Sequence, residues 1–74
     1  MGFPKYVING PISIKGQYIK LHNNAVGHDA STTYNVAIMY GKPVSAIWAS
    51  DKIQFTTDKG RVFRTDGTSI NEFK

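Results

Sequence analysis

The chain has no cysteine, no long hydrophobic run and few acidic residues. Its 74 residues include no Cys and only five Asp and Glu. Without cysteine there is no disulfide and no thiolate ligand for zinc, so we expect stability to come from packing alone, as suits the cytoplasm. There is no run of about 18 apolar residues and no apolar leader after Met1, so we expect neither a membrane span nor a secretion signal.

Motifs for catalysis and for cofactors are also missing. The acidic residues are spread among different turns, which indicates no carboxylate pair for acid–base chemistry. The glycines stand at turn positions and in a long loop, outside the spacing of a phosphate-binding loop. The two histidines, His22 and His28, together with Asp29 supply too few ligands for a metal site. We therefore predict a protein that is not an enzyme and that binds no cofactor or metal.

Positive charge, by contrast, is in excess. Nine Lys and Arg against five Asp and Glu give a formal net charge of +4 and a pI of about 9.6. The basic residues stand singly along the chain. This balance favours nonspecific attraction to nucleic acid or to an anionic surface, without requiring either partner.

Apolar and polar residues alternate from Thr32 to Thr65, which predicts strands rather than helices. One face of these strands is strongly apolar and is expected to form the core. Its members are Tyr34, Val36, Ile38, Tyr40, Val44, Ala46, Trp48, Ile53, Phe55 and Phe63.

Turn residues divide this stretch at 41–43, 50–51 and 58–60, which predicts an antiparallel meander. A two-residue turn at 50–51 pairs Trp48 with Ile53. A three-residue loop ending in a left-handed Gly60 pairs Phe55 with Phe63. All the large apolar side chains then share one face, which needs a cover.

A hairpin before the meander is the predicted cover. A two-residue turn at Lys15–Gly16 sets Ile12 opposite Ile19, with the apolar side chains of the hairpin on one face. The segment 6–8 is expected to add a short strand. Ile70 and Phe73 are expected to close the core as a final strand or a short 3₁₀ turn.

The predicted fold is therefore all-β: a hairpin followed by a meander in a single domain, residues 1–74. It forms a small antiparallel barrel or two-sheet sandwich of about five or six strands, SH3-like or related.

Basic residues gather at one end of this topology. The turns at 41–43 and 58–61 emerge at the same end of the meander, and two further cations lie on its open face. We predict a nucleic-acid contact by Lys42, Lys59, Arg61, Lys52 and Arg64. Lysines at tips and edges also serve solubility and block edge pairing, so this pattern has a purely structural alternative.

A protein partner is the second hypothesis. The outer face of the meander is more apolar than solvation requires, and the loop from His22 to Ser31 is long and polar. These features suit a protein-interaction module, such as a small phage-type inhibitor or regulator, or a homodimer through the outer face. The residues predicted for this contact are Met39, Ile47, Val62, His22, Asn23, Asn24 and His28.

Overall fold

The computed structural model describes residues 2–23 and 31–73, and within these ranges the chain forms seven strands and one 3₁₀ turn. The strands are β1 (Ile12–Lys15), β2 (Tyr18–His22), β3 (Ser31–Asn35), β4 (Pro43–Ala49), β5 (Lys52–Thr57), β6 (Val62–Thr65) and β7 (Ile70–Glu72). The 3₁₀ turn spans Ile38–Tyr40, between β3 and β4. The prediction of an all-β protein is confirmed, with more strands than the five or six expected.

The first sheet is antiparallel, with the strand order β1-β2-β3. Ile14 lies opposite Ile19 and Ile12 lies opposite Leu21, so the predicted pairing of Ile12 with Ile19 is wrong. The turn lies at 16–17 rather than at 15–16. Because this change shifts the pairing by two residues, the same four apolar side chains remain on the inner face.

The second sheet is antiparallel, with the strand order β4-β5-β6-β7. Its predicted registers are confirmed: Trp48 lies opposite Ile53, and Phe55 lies opposite Phe63. Gly60 has φ of 77° at the end of the three-residue loop, which is the left-handed conformation that this loop requires. The turns that connect β4, β5 and β6 therefore have the lengths that the sequence predicts.

The first strand of the predicted meander, however, belongs to the other sheet. β3 pairs with β2 and ends at Asn35, and the chain then crosses between the sheets. Ile38 lies in the 3₁₀ turn and is 81% exposed, so its prediction as a core residue is wrong. Val44 is also exposed, because a β-bulge between Pro43 and Ser45 interrupts the alternation.

The segment before β1 forms turns instead of the predicted short strand at 6–8. Val7 N donates a hydrogen bond to Pro4 O (3.1 Å), and Gly10 N donates one to Val7 O (3.0 Å). This winding directs Val7 into the core, where it is fully buried. The indole Nε1 of Trp48 donates to Gly10 O at 2.9 Å and ties the segment to the second sheet.

Both sheets contribute to one hydrophobic core, so the hairpin covers the second sheet as predicted. Phe55 and Phe63 are stacked with ring centroids 5.5 Å apart, and Tyr40 contacts Phe63 edge-on at 4.8 Å. Ile70 packs against this core, whereas Phe73 is half exposed and its predicted place in the core is wrong. No helix in the described part of the chain is long and apolar enough to cross a membrane.

Candidate nucleic-acid interface

Two loops of the second sheet are bonded to each other at one end of the molecule. Lys42 N donates to the carboxylate Oδ1 of Asp58 (3.0 Å), and Asp58 N donates to Lys42 O (2.9 Å). Gly41 permits this approach, because a Cβ there would stand 2.9 Å from Asp58 Oδ1. Lys42 and Lys59 are thus held at the same end, although the segment 41–43 is a crossover connection rather than a hairpin turn.

The tip of the β1–β2 hairpin joins the same end. Val36 N donates to Gln17 O (2.8 Å), and the Gln17 amide Nε2 donates to Val36 O (3.1 Å) and to Gly41 O (3.3 Å). The pair Lys15 and Tyr18, which flanks this turn, therefore lies close to the 41–43 connection. We call Lys15, Lys42 and Lys59, with the loops that carry them, the basic end.

Lys15 and Tyr18 were not among the predicted site residues. In the predicted topology, the basic end contains only turns of the meander and does not include the first hairpin. The position of the turn would have predicted them. With the turn at 16–17, Lys15 and Tyr18 are directly opposite each other on the polar face of the sheet.

The lysines of the basic end are exposed and available to an anion. Lys15, Lys42 and Lys59 are all exposed, and none of their side chains forms an ion pair within residues 2–23 and 31–73. The carboxylate of Asp58 also lies here, but it accepts the backbone N–H of Lys42. The basic end therefore combines three exposed ammonium groups with one carboxylate that already serves as a loop acceptor.

Arg61, also predicted for this contact, is already paired. Its Nε and Nη2 donate to the two carboxylate oxygens of Glu72 at 3.1 and 2.8 Å, and its guanidinium lies 4.8 Å from the centre of the Phe63 ring. The hydrogen bonds and charge of Glu72 raise the pKa of Arg61 above its ordinary value. Nucleic acid would have to compete with a two-point ion pair for this side chain.

Lys52 is the first residue of β5, and Thr57, next to the basic end, is the last. They are five steps apart along an extended strand, which is about 17 Å. Lys52 also forms an ion pair with Asp51, with Nζ 3.7 Å from Oδ1. The structure therefore does not bring Lys52 together with Lys42 and Lys59.

Arg64 lies on the outer face of the second sheet. Its Nη2 donates to Gln54 Oε1 at 2.8 Å, and its guanidinium lies 4.5 Å from the centre of the Phe73 ring. Together with Lys52 and Asn71 it lines an open cavity of about 270 Å³. Arg64 is thus partly covered by the tail of the chain and stands apart from the basic end.

The residues predicted for a protein contact are separated in a similar way. Ile47 is 59% exposed on β4, whereas Met39 is 70% exposed in the 3₁₀ turn and so does not share the outer sheet face with Ile47. Val62 is half-buried beside Phe73, whose backbone N donates to Val62 O (2.8 Å). Ile38 and Val44 are exposed as well. These four exposed apolar residues of the 3₁₀ turn and β4, which do not all lie on one face, are called the apolar edge below.

The predicted loop contact is described only at its start. His22 ends β2, and its Nε2 lies 2.9 Å from Ser13 Oγ. Asn23 is half-buried next to it, and Asn24 and His28 lie outside the described residues. Among the residues that the structure describes, no three His, Asp or Glu side chains form a metal-binding group.

Comparisons with protein-family models, with curated proteins and with solved structures found no match to this chain.

Proposed function

We propose that this chain is a non-enzymatic, cytoplasmic nucleic-acid-binding module that contacts phosphates through its basic end. The observation that supports it is the reciprocal pair of hydrogen bonds between Lys42 and Asp58, which holds two lysine-bearing loops side by side. Neighbouring strands are about 4.8 Å apart, so lysines on adjacent loops emerge close enough to contact nearby phosphates of one backbone.

The distribution of charge along the chain supports this assignment. Residues 1–42 contain four lysines and one acidic residue, whereas residues 43–74 contain five basic and four acidic residues. The excess positive charge therefore belongs mainly to the first sheet and to the connection that ends at Lys42. Binding to phosphates releases condensed counterions, and the predicted interaction is therefore strongly salt-dependent.

The SH3-like arrangement remains a prediction within this proposal. Two antiparallel sheets share a core, and Cα atoms of β1 and β4 approach within 8 Å, so the two sheets are close along one side. Small β folds of this kind present loops from one end as a binding surface. The comparison concerns architecture only and implies no common ancestry.

The proposal is tested by fluorescence anisotropy with a labelled oligonucleotide of mixed sequence, titrated at several salt concentrations. The double variant Lys42→Ala/Lys59→Ala removes two of the proposed phosphate contacts. We expect weaker binding and a log K against log salt slope that is flatter by about 2.

The matched control is Lys5→Ala/Lys52→Ala, which removes the same charge. Lys52 lies at the other end of β5. Lys5 is two residues after Phe3, whose ring lies about 3 Å from where a Cβ on Gly67 would stand, between β6 and β7. We expect the control to keep the wild-type slope. Equal slopes for the two double variants would contradict a contact through the basic end.

A protein-interaction module, such as a small phage-type regulator, is the second candidate. The apolar edge favours it, because Ile38 is 81% and Met39 70% exposed in one short turn. Affinity purification from host lysate with and without nuclease separates the candidates. Recovery of a protein that survives nuclease and is lost in Met39→Lys/Ile47→Lys supports the second candidate, and a dimeric hydrodynamic size lost in the same variant identifies a homodimer.

A further inference from the structure

Tyr18 stands on the central strand of the first sheet, with its ring on the outer face. It lies opposite Lys15 on β1 and opposite Asn35 on β3, and it is 51% exposed. In an antiparallel sheet, directly opposed Cβ atoms are about 5 Å apart, so the ring and the Lys15 stem are immediate neighbours. This large aromatic side chain is therefore not part of the core and does not lie on an edge strand of the sheet.

The charged side chains on the described strands of the first sheet, Lys15 and Lys20, are all positive if the imidazole of His22 is neutral. Lys20 follows two residues later on the same face of β2, opposite Ser13 and Thr33. The described residues of β1, β2 and β3 contain no Asp or Glu. The remaining outer-face groups are hydroxyl, amide and imidazole side chains, including the Ser13 and His22 pair. This face therefore suits an anionic ligand with hydrogen-bonding groups.

The ring of Tyr18 is half exposed, and it differs from the ring of Phe73, another exposed aromatic, in its stacking partners. The guanidinium of Arg64 lies over Phe73 at 4.5 Å. In the described part of the chain, no aromatic ring or guanidinium group stacks on Tyr18. Its face is therefore available to a planar ligand.

The position of Tyr18 connects this face with the basic end. Gln17, the residue before it, bonds to Gly41 O, and Lys42 follows Gly41. A nucleic-acid backbone held at Lys42 and Lys15 would pass within reach of the ring. A base can stack on the ring only if it is not already stacked in a duplex, which selects single-stranded nucleic acid.

We infer that the outer face of the first sheet is a stacking platform for single-stranded nucleic acid. Tyr18 receives one base, and Lys15 and Lys20 contact the flanking phosphates. This inference rests on the proposed function, since it names the class of nucleic acid that the basic end holds. Single-stranded DNA and RNA share the chemistry that is recognised, namely an open base and a phosphate backbone.

The test is anisotropy with one labelled sequence in three forms: single-stranded DNA, single-stranded RNA and DNA duplex, at one salt concentration. For Tyr18→Ala we expect roughly tenfold weaker binding of the single strand that the protein prefers. Duplex binding is expected to stay within about twofold, because the phosphate contacts persist. Tyr18→Phe keeps the ring and is expected to retain the affinity of the wild type.

Tyr6→Ala is the matched control, since Tyr6 is 41% exposed but lies in the turns before β1. It is expected to leave binding unchanged. The far-UV spectrum and melting temperature of each variant show that the fold is intact. Unchanged single-strand affinity in Tyr18→Ala, or an equal loss for single strand and duplex, overturns the platform.

The two proposals fail in different ways. If Tyr18→Ala has no effect while Lys42→Ala/Lys59→Ala weakens binding, the platform is wrong and the proposed function stands. If the wild-type protein binds none of the three nucleic acids, both are wrong. The difference between the DNA and RNA strands identifies which of the two is the preferred ligand.

Discussion

The two sheets differ in how the positive charges on their strands and flanking residues are partnered. On the first sheet, Lys15 and Lys20 form no ion pair among the described residues. On the second, Arg61 is bound by Glu72, Lys52 lies next to Asp51, and Arg64 is held by Gln54. Residues 43–74 contain more basic residues than residues 1–42, yet among the described residues more of the cations without an ion pair lie in 1–42.

The inner faces differ in a complementary way. The first sheet contributes mainly aliphatic side chains to the core, such as Ile19 and Leu21, whereas the second contributes the aromatic residues Trp48, Phe55 and Phe63. An aromatic ring buries a large apolar area, and stacked or edge-on ring pairs stabilise the core beyond the effect of that burial. The second sheet thus adds aromatic packing and the ion pairs seen among the described residues, while the first leaves a polar, basic surface open.

The largest expected effect comes from breaking the shared core. Phe55→Ala in the second sheet and Ile19→Ala in the first each remove a fully buried side chain. We expect each to lower the free energy of unfolding by about 3 kcal/mol, a large part of the stability of a small domain. Urea denaturation followed by Trp48 fluorescence and by far-UV circular dichroism measures both.

The two probes also test whether the sheets are one cooperative unit. Trp48 belongs to the second sheet, so a shared core requires that Ile19→Ala shifts the fluorescence transition as much as the circular dichroism transition. Tyr18→Ala, on the outer face, is expected to change the free energy of unfolding by less than about 0.5 kcal/mol. A fluorescence midpoint unaffected by Ile19→Ala would show that the sheets unfold independently.

A smaller effect is expected from releasing a paired cation. Glu72→Gln removes the charged partner of Arg61, which lies directly after the loop that carries Lys59. We expect tighter nucleic-acid binding and a salt slope steeper by about 1, as for one additional phosphate contact. Salt-dependent anisotropy titrations measure this change.

The control for this variant is Asp51→Asn, which releases Lys52 at the far end of β5. Both variants increase the net charge by one, so a general charge effect would change both slopes equally. We expect only Glu72→Gln to steepen the slope. If both slopes changed equally, the location of the added charge would be unimportant, and the difference in ion pairing between the two sheets would not determine where nucleic acid binds.

Much of the second sheet could be predicted because its signals are local. Alternation together with turns of two and three residues determines which side chains oppose each other, as for Trp48 with Ile53 and Phe55 with Phe63. The pairing of β3 could not be predicted in this way. Alternation does not distinguish a hairpin from a crossover, and the partner of β3 is set by bonds distant in sequence, such as Val36 N to Gln17 O.

The site shows the same division. The loops that carry Lys42 and Lys59 lie at the same end, because Pro43 and Thr57 pair at one end of β4 and β5 even though the preceding strand belongs to the other sheet. The bidentate pair between Arg61 and Glu72 depends on the pairing of β7 with β6, for which the sequence offered alternatives. Ion pairs of this kind join residues that are distant in sequence. The sequence alone therefore does not predict which cations are paired and which are free to bind an anion.

The smallest expected effect concerns acid, which acts on the sheet that contains the carboxylates. Asp66 Oδ1 accepts hydrogen bonds from Ser69 N (2.8 Å) and Thr68 N (2.9 Å) in the β6–β7 connection, and these bonds lower the pKa of Asp66. A lowered pKa in the folded state means that the stabilisation is present above the pKa of the unfolded chain and is lost as the pH falls through that of the folded state.

We therefore expect acid to lower the free energy of unfolding of Asp66→Asn by less than that of the wild type. The amide oxygen of the variant accepts hydrogen bonds but does not titrate. The comparison is between neutral pH and a pH below the pKa of an aspartate in the unfolded chain. Urea midpoints at both pH values measure this loss, and Asp51→Asn, whose described ion pair is an exposed one at 3.7 Å, is the matched control. The described strands of the first sheet contain no carboxylate, so carboxylate protonation there adds nothing to this loss. If Asp66→Asn lost as much stability in acid as the wild type, the turn at Asp66 would not be a source of acid sensitivity in the second sheet.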